Sequence, residues 1–268
     1  MTIVVVGKNS MMGREMQKHY SEPDWLFLSH DEAFADTAWG KKARCVINFA
    51  LSPAMRTAEY NPAEDIDLRL AQTIPADTHY IMMSSRTVYG PAPADGCLKE
   101  EHKPNPQTIY ARNKLETESR LQDMHGDHLT ILRGANVFGY EFGRRSFLGM
   151  ALGNLKAKNE IIFDMNPLVK RDFISAQNVS RALGIMSTKP QNGIFNLGCG
   201  YGTACGEVAA WIIEGYGQGS VSSTSDEMRD AFYLDMSKAE AAFNLPAITP
   251  DTLKAECVAC GQQLRSQT

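Results

Sequence analysis

The chain has 268 residues, 43% of them apolar and 22% charged, with a formal net charge of −4 and a pI of about 5.9. These are the proportions of a globular protein. The mildly acidic balance argues against the basic face that nucleic-acid binding needs, and no window reaches the apolar length of a membrane span. The opening MTIVVVG meets a glycine too soon for a signal peptide's apolar core and has no basic leader, so the chain reads as cytoplasmic.

TIVVVG predicts a first strand, and MMGREMQKHY, with Met12, Met16 and Tyr20 at helical spacing, a first helix. WLFLS and CVINFA predict the second and third strands. PAEDIDLRLAQTI predicts a helix with Ile66 and Leu70 on one stripe, and YIMMSS a fourth strand. IYARNKLETESRLQDM is a long helix, HLTILRG a fifth strand, VSRALGIMS a shorter helix with Asn178 as its N-cap, and GIFNLG a further strand. Strand and helix in alternation give a parallel sheet covered on both faces. Two stretches break the rhythm: NVFGYEFGRR to LVKRD, and everything after GCGYG. Both read as irregular, forming a small cap over one sheet edge.

The six cysteines are scattered, which does not suit a disulfide framework. Cys257 and Cys260 have the spacing of a redox or zinc pair, and zinc would need Cys199 and Cys205 as well. Small buried thiols are the favoured reading, and no metal is expected.

VVVGKNSMMGRE lies between the first strand and the first helix. Gly7 and Gly13 fit the outer positions of a dinucleotide-binding turn, one for the tight turn and one for close helix packing, with a pyrophosphate at the helix N-terminus. Asn9, Ser10, Met11 and Met12 complete the loop. Ser10 stands where the middle glycine usually is, and its hydroxyl would donate to phosphate. The second strand ends LSHDE. Asp31 or Glu32 there would take the ribose hydroxyls of NAD, whereas His30 and Lys8 beside a ribose phosphate would suit NADP. The choice between NAD and NADP stays open.

Tyr110 and Lys114 are four residues apart, on one helix face. A free tyrosine titrates near 10, too high for a base at neutral pH, but an ammonium and an oxidised nicotinamide beside it would both favour phenolate. Such a phenol can pass the proton of an alcohol while hydride moves to or from a nicotinamide.

MMSSRTVYG, IYARNK, LRGANVFG and KRDFISAQNV follow one another in this order, and together they resemble the extended short-chain dehydrogenase/reductase family of nucleotide-sugar epimerases, dehydratases and reductases. The resemblance runs from residue 3 to about residue 200. It implies an α/β fold, a Rossmann-type doubly wound parallel sheet with a small C-terminal substrate-binding cap. Residues 1–138 would bind the dinucleotide, with 172–199 returning to that domain, and 139–171 and 200–268 would form the cap. It implies Tyr110 as acid/base, Lys114 holding the nicotinamide ribose, and Ser85, with Ser84 as a less favoured stand-in, orienting the reacting oxygen. Phe49, Ala50 and Leu51 would line the cofactor. Asn136 and Arg171 would meet the substrate diphosphate, with Arg86 in the substrate site; Tyr89 and Gly90 would shape the loop. Where the family usually has acids, this chain has Gln177 and Asn178.

Family dehydratases carry an Asp-Glu pair directly after the catalytic Ser/Thr. Here Arg86 and Thr87 stand there, which disfavours dehydration. No base-and-acid pair for keto-sugar epimerisation stands out at a recognisable spacing, Cys97 and His102 included. A reductase and a 4-epimerase that keeps its NAD bound both need only the Ser-Tyr-Lys set and the cofactor. The small C-terminal segment and the short second-strand region resemble the family's compact reductases of nucleotide-linked 4-keto-6-deoxy sugars, so a keto-sugar reductase is favoured over the 4-epimerase. A third reading, a non-catalytic dinucleotide sensor, is weakened by the presence of both Tyr110 and Lys114. The helices near residues 62 and 110 are those the family uses for a two-fold contact, which implies a homodimer.

Overall fold

The structure, a computed structural model, describes residues 2–140 and 147–267. The chain runs through β1 (Thr2–Val6), α1 (Met11–His19), β2 (Trp25–Leu28), α2 (His30–Ala35), β3 (Ala43–Asn48), a short α3 (Ala54–Thr57), α4 (Ile66–Ala71) and β4 (His79–Ser85). A two-residue β5 (Cys97–Leu98), α5 (Ile109–His125), β6 (Leu129–Gly134) and β7 (Asn136–Phe138) follow. Then come α6 (Phe147–Lys158), β8 (Glu160–Phe163), β9 (Lys170–Arg171), β10 (Phe173–Ser175), α7 (Ala176–Thr188) and β11 (Gly193–Leu197). The remaining elements are β12 (Thr203–Ala204), α8 (Cys205–Tyr216), β13 (Ser220–Ser223), β14 (Tyr233–Leu234), α9 (Ser237–Phe243) and α10 (Pro250–Arg265).

β2, β1, β3, β4, β6 and β11 lie side by side in that order, every pair parallel. This is a Rossmann-type α/β sheet. From β1 the chain moves to β2 on one side, then returns to β3 on the other, so the carboxyl ends of β1 and β3 flank a topological switch point. Side chains alternate between the two faces. Ile3, Val5, Ile47 and Ile81 pack with Met16 of α1 and Val179, Leu183 and Met186 of α7. Val4, Val6, Val46 and Met82 pack with Ile66 and Leu70 of α4 and Leu121 of α5. The apolar stripes of α4 and α5 thus serve the chain's own core.

Three local expectations change. α7 is capped by Ser175, whose Oγ accepts the Asn178 N–H at 3.0 Å. Asn178 is not the N-cap; it is buried in the first turn and its Nδ2 donates to Glu256 of α10 at 2.8 Å. The helix starts earlier because strand β10 ends in a residue that can cap. α4 starts at Ile66, not at Pro62: Asp65 caps it by accepting the Leu68 N–H, and Pro62–Glu64 form a separate 3₁₀ turn. The two stretches outside the alternation are largely regular. α6, α8, α10 and the parallel pair β8–β13 share a core containing Leu152, Leu155, Phe163, Ile212 and Leu253. Within the first of these stretches, residues 141–146 lie outside the described residues. Cys205, Cys257 and Cys260 are free thiols buried in that core. Burial pushes Cys260 up to about 12, the wrong direction for a reactive or metal-binding thiolate. α9 packs beside β11, with Ala239 and Phe243 in the sheet's core.

His79 opens β4 in a buried position. Its Nε2 meets Thr130 Oγ1 at 2.7 Å, and the Thr130 hydroxyl donates to Gln191 O. Burial first, then His128 and His125, lowers its pKa to about 4. An unfolded histidine takes its proton near 6.5. The stability tied to neutral His79 is therefore present above that value and is lost as pH falls from about 6.5 through 4, up to about 3 kcal/mol. Urea midpoints measured across that window are expected to fall more steeply for the native chain than for His79→Gln.

Candidate active site

Two glycines shape the turn after β1. Gly7 has φ +93°, and a Cβ there would lie 2.8 Å from Ala50 N. A Cβ on Gly13 would lie 2.3 Å from Gly7 O and 2.8 Å from Lys8 Cα, so Gly13 lets α1 close on the loop's own backbone. Ser10 is the N-cap, its Oγ accepting the Gly13 N–H at 3.0 Å. That leaves the first-turn amides of Met11 and Met12 without an intrahelical acceptor, at the positive end of the helix.

A cleft of about 530 Å³ opens at this turn, lined by Ser10, Met11 and Met12. Its other walls are Asn48 at the end of β3, Phe49 to Leu51 after it, Met83 and Ser84 of β4, Tyr110 and Lys114 of α5, and Val137 of β7. Pro53 and Arg56, which sequence reasoning missed, close one side. The Arg56 guanidinium stands over the Tyr110 ring, 5.0 Å from its centroid. Nothing in the spacing of LSPAMRT marks this arginine, because its neighbour lies on a different helix.

Lys114 is buried and donates to Met83 O at 2.9 Å. It also pairs with buried Asp67 at 3.3 Å. An ammonium has three N–H donors, so one remains for the cleft. Burial would push this lysine down, but Asp67 and then Tyr110 hold it above its ordinary value.

The two hydroxyls at the end of β4 differ. Ser84 is buried and donates to Glu118, which forms an ion pair with Arg133 at 2.7 Å. Ser85 Oγ accepts the Thr87 N–H at 3.2 Å and the Thr87 hydroxyl at 2.9 Å, keeping its own proton to donate. Ser84 lines the cleft, yet Ser85 has the freer hydroxyl. Tyr89 is structural: its hydroxyl donates to Asn196 at 2.7 Å.

Arg86 and Arg171, far apart in sequence, converge on Asp230. Arg86 meets its carboxylate at 2.5 Å and Arg171 at 3.4 Å. Asp230, with φ +58° in the left-handed region, is a third residue that sequence reasoning missed. Arg86 also stacks over Phe232 at 4.0 Å, beside a second cleft of about 430 Å³ that includes Thr87, Gly90 and Gln107. Asn136 begins β7, and its Nδ2 is buried without a hydrogen-bond partner among the described residues. At the end of β2, Ser29 and Glu32 form a capping box, and Glu32 also pairs with Lys8 at 2.6 Å. His30 and Asp31 lie exposed on the first turn of α2, 3.3 Å apart. Ser85, Gly7, Gly13, His30, Asp31, Asn9, Arg86, Asn136 and Arg171 are not among the residues that line the cleft at α1.

No curated protein matches the chain. Solved structures share its fold from end to end at low identity. RMD from Pseudomonas aeruginosa, complexed with NADPH, is 20% identical with a TM-score of 0.78, covering 100% of both chains. A UDP-N-acetylglucosamine 4-epimerase from Methanobrevibacter ruminantium is 17% identical with a TM-score of 0.81, covering 100% of this chain and 99% of the other. DesIV, a dTDP-glucose 4,6-dehydratase from Streptomyces venezuelae, is 16% identical with a TM-score of 0.78, covering 100% and 98%. Residues 3–198, the stretch that carries the glycine turn, the β4 hydroxyls and the Tyr110–Lys114 face, match the NAD dependent epimerase/dehydratase family. The chain belongs to that family.

Proposed function

We propose that the protein is an NAD(P)-dependent reductase of a keto group on a nucleotide-linked sugar, with Tyr110 as its acid/base. The observation that carries this reading is that Tyr110 and Lys114 line the same cleft as the capped N-terminus of α1. The residues fit a dinucleotide. The free amides of Met11 and Met12 suit a pyrophosphate, Gly13 lets α1 close on the turn so that these amides reach the cleft, Phe49 to Leu51 offer a wall, and the third Lys114 N–H suits a ribose hydroxyl. When bound, the dinucleotide supplies the hydride.

In this reading the Tyr110 hydroxyl gives its proton to the oxygen of the keto group as that carbon is reduced. Ser85 donates to the same oxygen and orients it. Arg86 and Arg171 would exchange Asp230 for the substrate's diphosphate, a geometry guanidinium groups match well. Dehydration across two carbons needs an acid and a base after Ser85. Arg86 is in an ion pair and Thr87 is bonded to Ser85, which argues against it.

The test is to denature freshly purified protein and identify any released dinucleotide. An empty site that then binds NADPH or NADH supports a reductase that exchanges its cofactor each turnover. Stoichiometric NAD would replace this reading with a 4-epimerase. A site that binds neither dinucleotide overturns both.

A further inference from the structure

We propose that Asp67 is a positioning residue for Lys114: its buried carboxylate holds the lysine ammonium in place on the cleft wall beside Tyr110. The inference rests on the reading of Tyr110 and Lys114 as the proton-transfer pair. Asp67 touches neither the Tyr110 hydroxyl nor any residue proposed to hold substrate. It reaches the cleft through Lys114 and, by way of Asn48, through the turn after β3; Asp67→Asn keeps an oxygen that can accept from Asn48 while removing the charge on Lys114's partner.

The carboxylate divides its two oxygens between two tasks. Oδ1 accepts from Asn48 Nδ2 at 2.8 Å and from the Tyr80 hydroxyl at 3.0 Å. Oδ2 is left for Lys114. Asn48 in turn fixes the cleft wall, since its Nδ2 also donates to Ala50 O and its Oδ1 accepts the Ala50 N–H. One carboxylate therefore links α4, the end of β3 and the turn after it, the start of β4 and the lysine of α5.

Burial makes that link electrostatic as well as geometric. Lys114 is 5% exposed and Asp67 3%. Burial without a counter-charge pushes an ammonium's pKa down. The titratable groups that act on Lys114 are Asp67 and Asp65 from α4 and Tyr110 from its own helix, with Tyr80 of β4 reaching it through Asp67. Asp65 is already occupied: it caps α4 and accepts the hydroxyls of Tyr60 and Thr117, each at 2.7 Å. Asp67 is the carboxylate in direct contact with the lysine. Sequence reading passed over it as one more polar residue in EDIDLRL.

The test uses the full chain, labelled with ¹³C,¹⁵N-lysine and free of added dinucleotide. The Lys114 signal is identified by its loss in Lys114→Met. In Asp67→Asn it is expected to titrate at lower pH than in the native protein. NADH affinity near neutral pH is expected to fall about tenfold or more. An unchanged Lys114 titration in folded Asp67→Asn overturns the proposal. This readout needs no cofactor and no turnover, so it stands apart from a failure of the nicotinamide reading. A second variant guards against misfolding: Asp67→Asn with Lys114→Met removes both charges, which buried pairs tolerate better than the loss of one. It is expected to bind NADH as Lys114→Met does. If Asp67→Asn weakens binding further in that background, Asp67 acts independently of the lysine and the proposal fails.

Discussion

Tyr110→Phe is expected to lower turnover about a thousandfold, within the range a positioned acid/base contributes, with little change in stability or dinucleotide affinity. The reason lies in what the hydroxyl touches. Tyr110 is half-buried and its ring lies beneath Arg56. Among the described residues its hydroxyl makes no hydrogen bond, so Phe keeps the ring contact and deletes only the transferable proton. Lys114→Met is a less clean probe. It leaves Asp67 buried and uncompensated, and breaking such a pair from one side destabilises by about 3–5 kcal/mol. Steady-state turnover of a keto nucleotide sugar, beside thermal melts of both variants, separates the two effects. A Tyr110→Phe protein that retained full turnover would remove Tyr110 from the chemistry.

Gly13→Ala is expected to destabilise the fold by about 2–4 kcal/mol, as an overpacked backbone contact does, and to abolish dinucleotide binding. The added Cβ would sit 2.3 Å from Gly7 O and 2.8 Å from Lys8 Cα, and neither backbone group is the free end of a flexible chain. Either α1 moves away from the turn or the turn opens. Both displace the amides of Met11 and Met12 from the cleft. Gly153→Ala is the control. It lies inside α6, with nothing within 4 Å of the added Cβ, and is expected to stabilise by up to about 1 kcal/mol through helix propensity. Urea midpoints and NADH titrations of the two variants should move in opposite senses for stability, with binding lost only for Gly13→Ala.

Part of the site was legible because it obeys a local period. Tyr110 and Lys114 share a helix face at any tertiary arrangement that keeps α5 helical. Gly7 and Gly13 bracket a strand-to-helix turn whatever the rest of the chain does. Alternating strands and helices carry the parallel sheet, because strands covered on both faces read as continuous apolar runs. The ends of elements were less legible. Ser175 and Asn178 are both good caps, and the strand β10 that runs into Ser175 decides between them. The helices outside the strand-helix alternation were hidden by the glycines of α6 and α8, which read as irregular but sit in packed helices.

The sequence by itself determined the fold class, the dinucleotide-type turn and the chemistry available at Tyr110, Lys114 and Ser85, since each follows from residue type and short-range spacing. Only the tertiary structure decided what those groups face. Asp67 meets Lys114 across 47 residues, Arg86 and Arg171 meet on Asp230, and Glu118 takes the hydroxyl of Ser84 but leaves that of Ser85. Helical and strand periods say which way a side chain leaves its own element. Its partner is set by sheet order and by the packing of helices on the sheet. The packing of α4 on α5 then makes an ordinary helix carboxylate the counter-ion of the lysine.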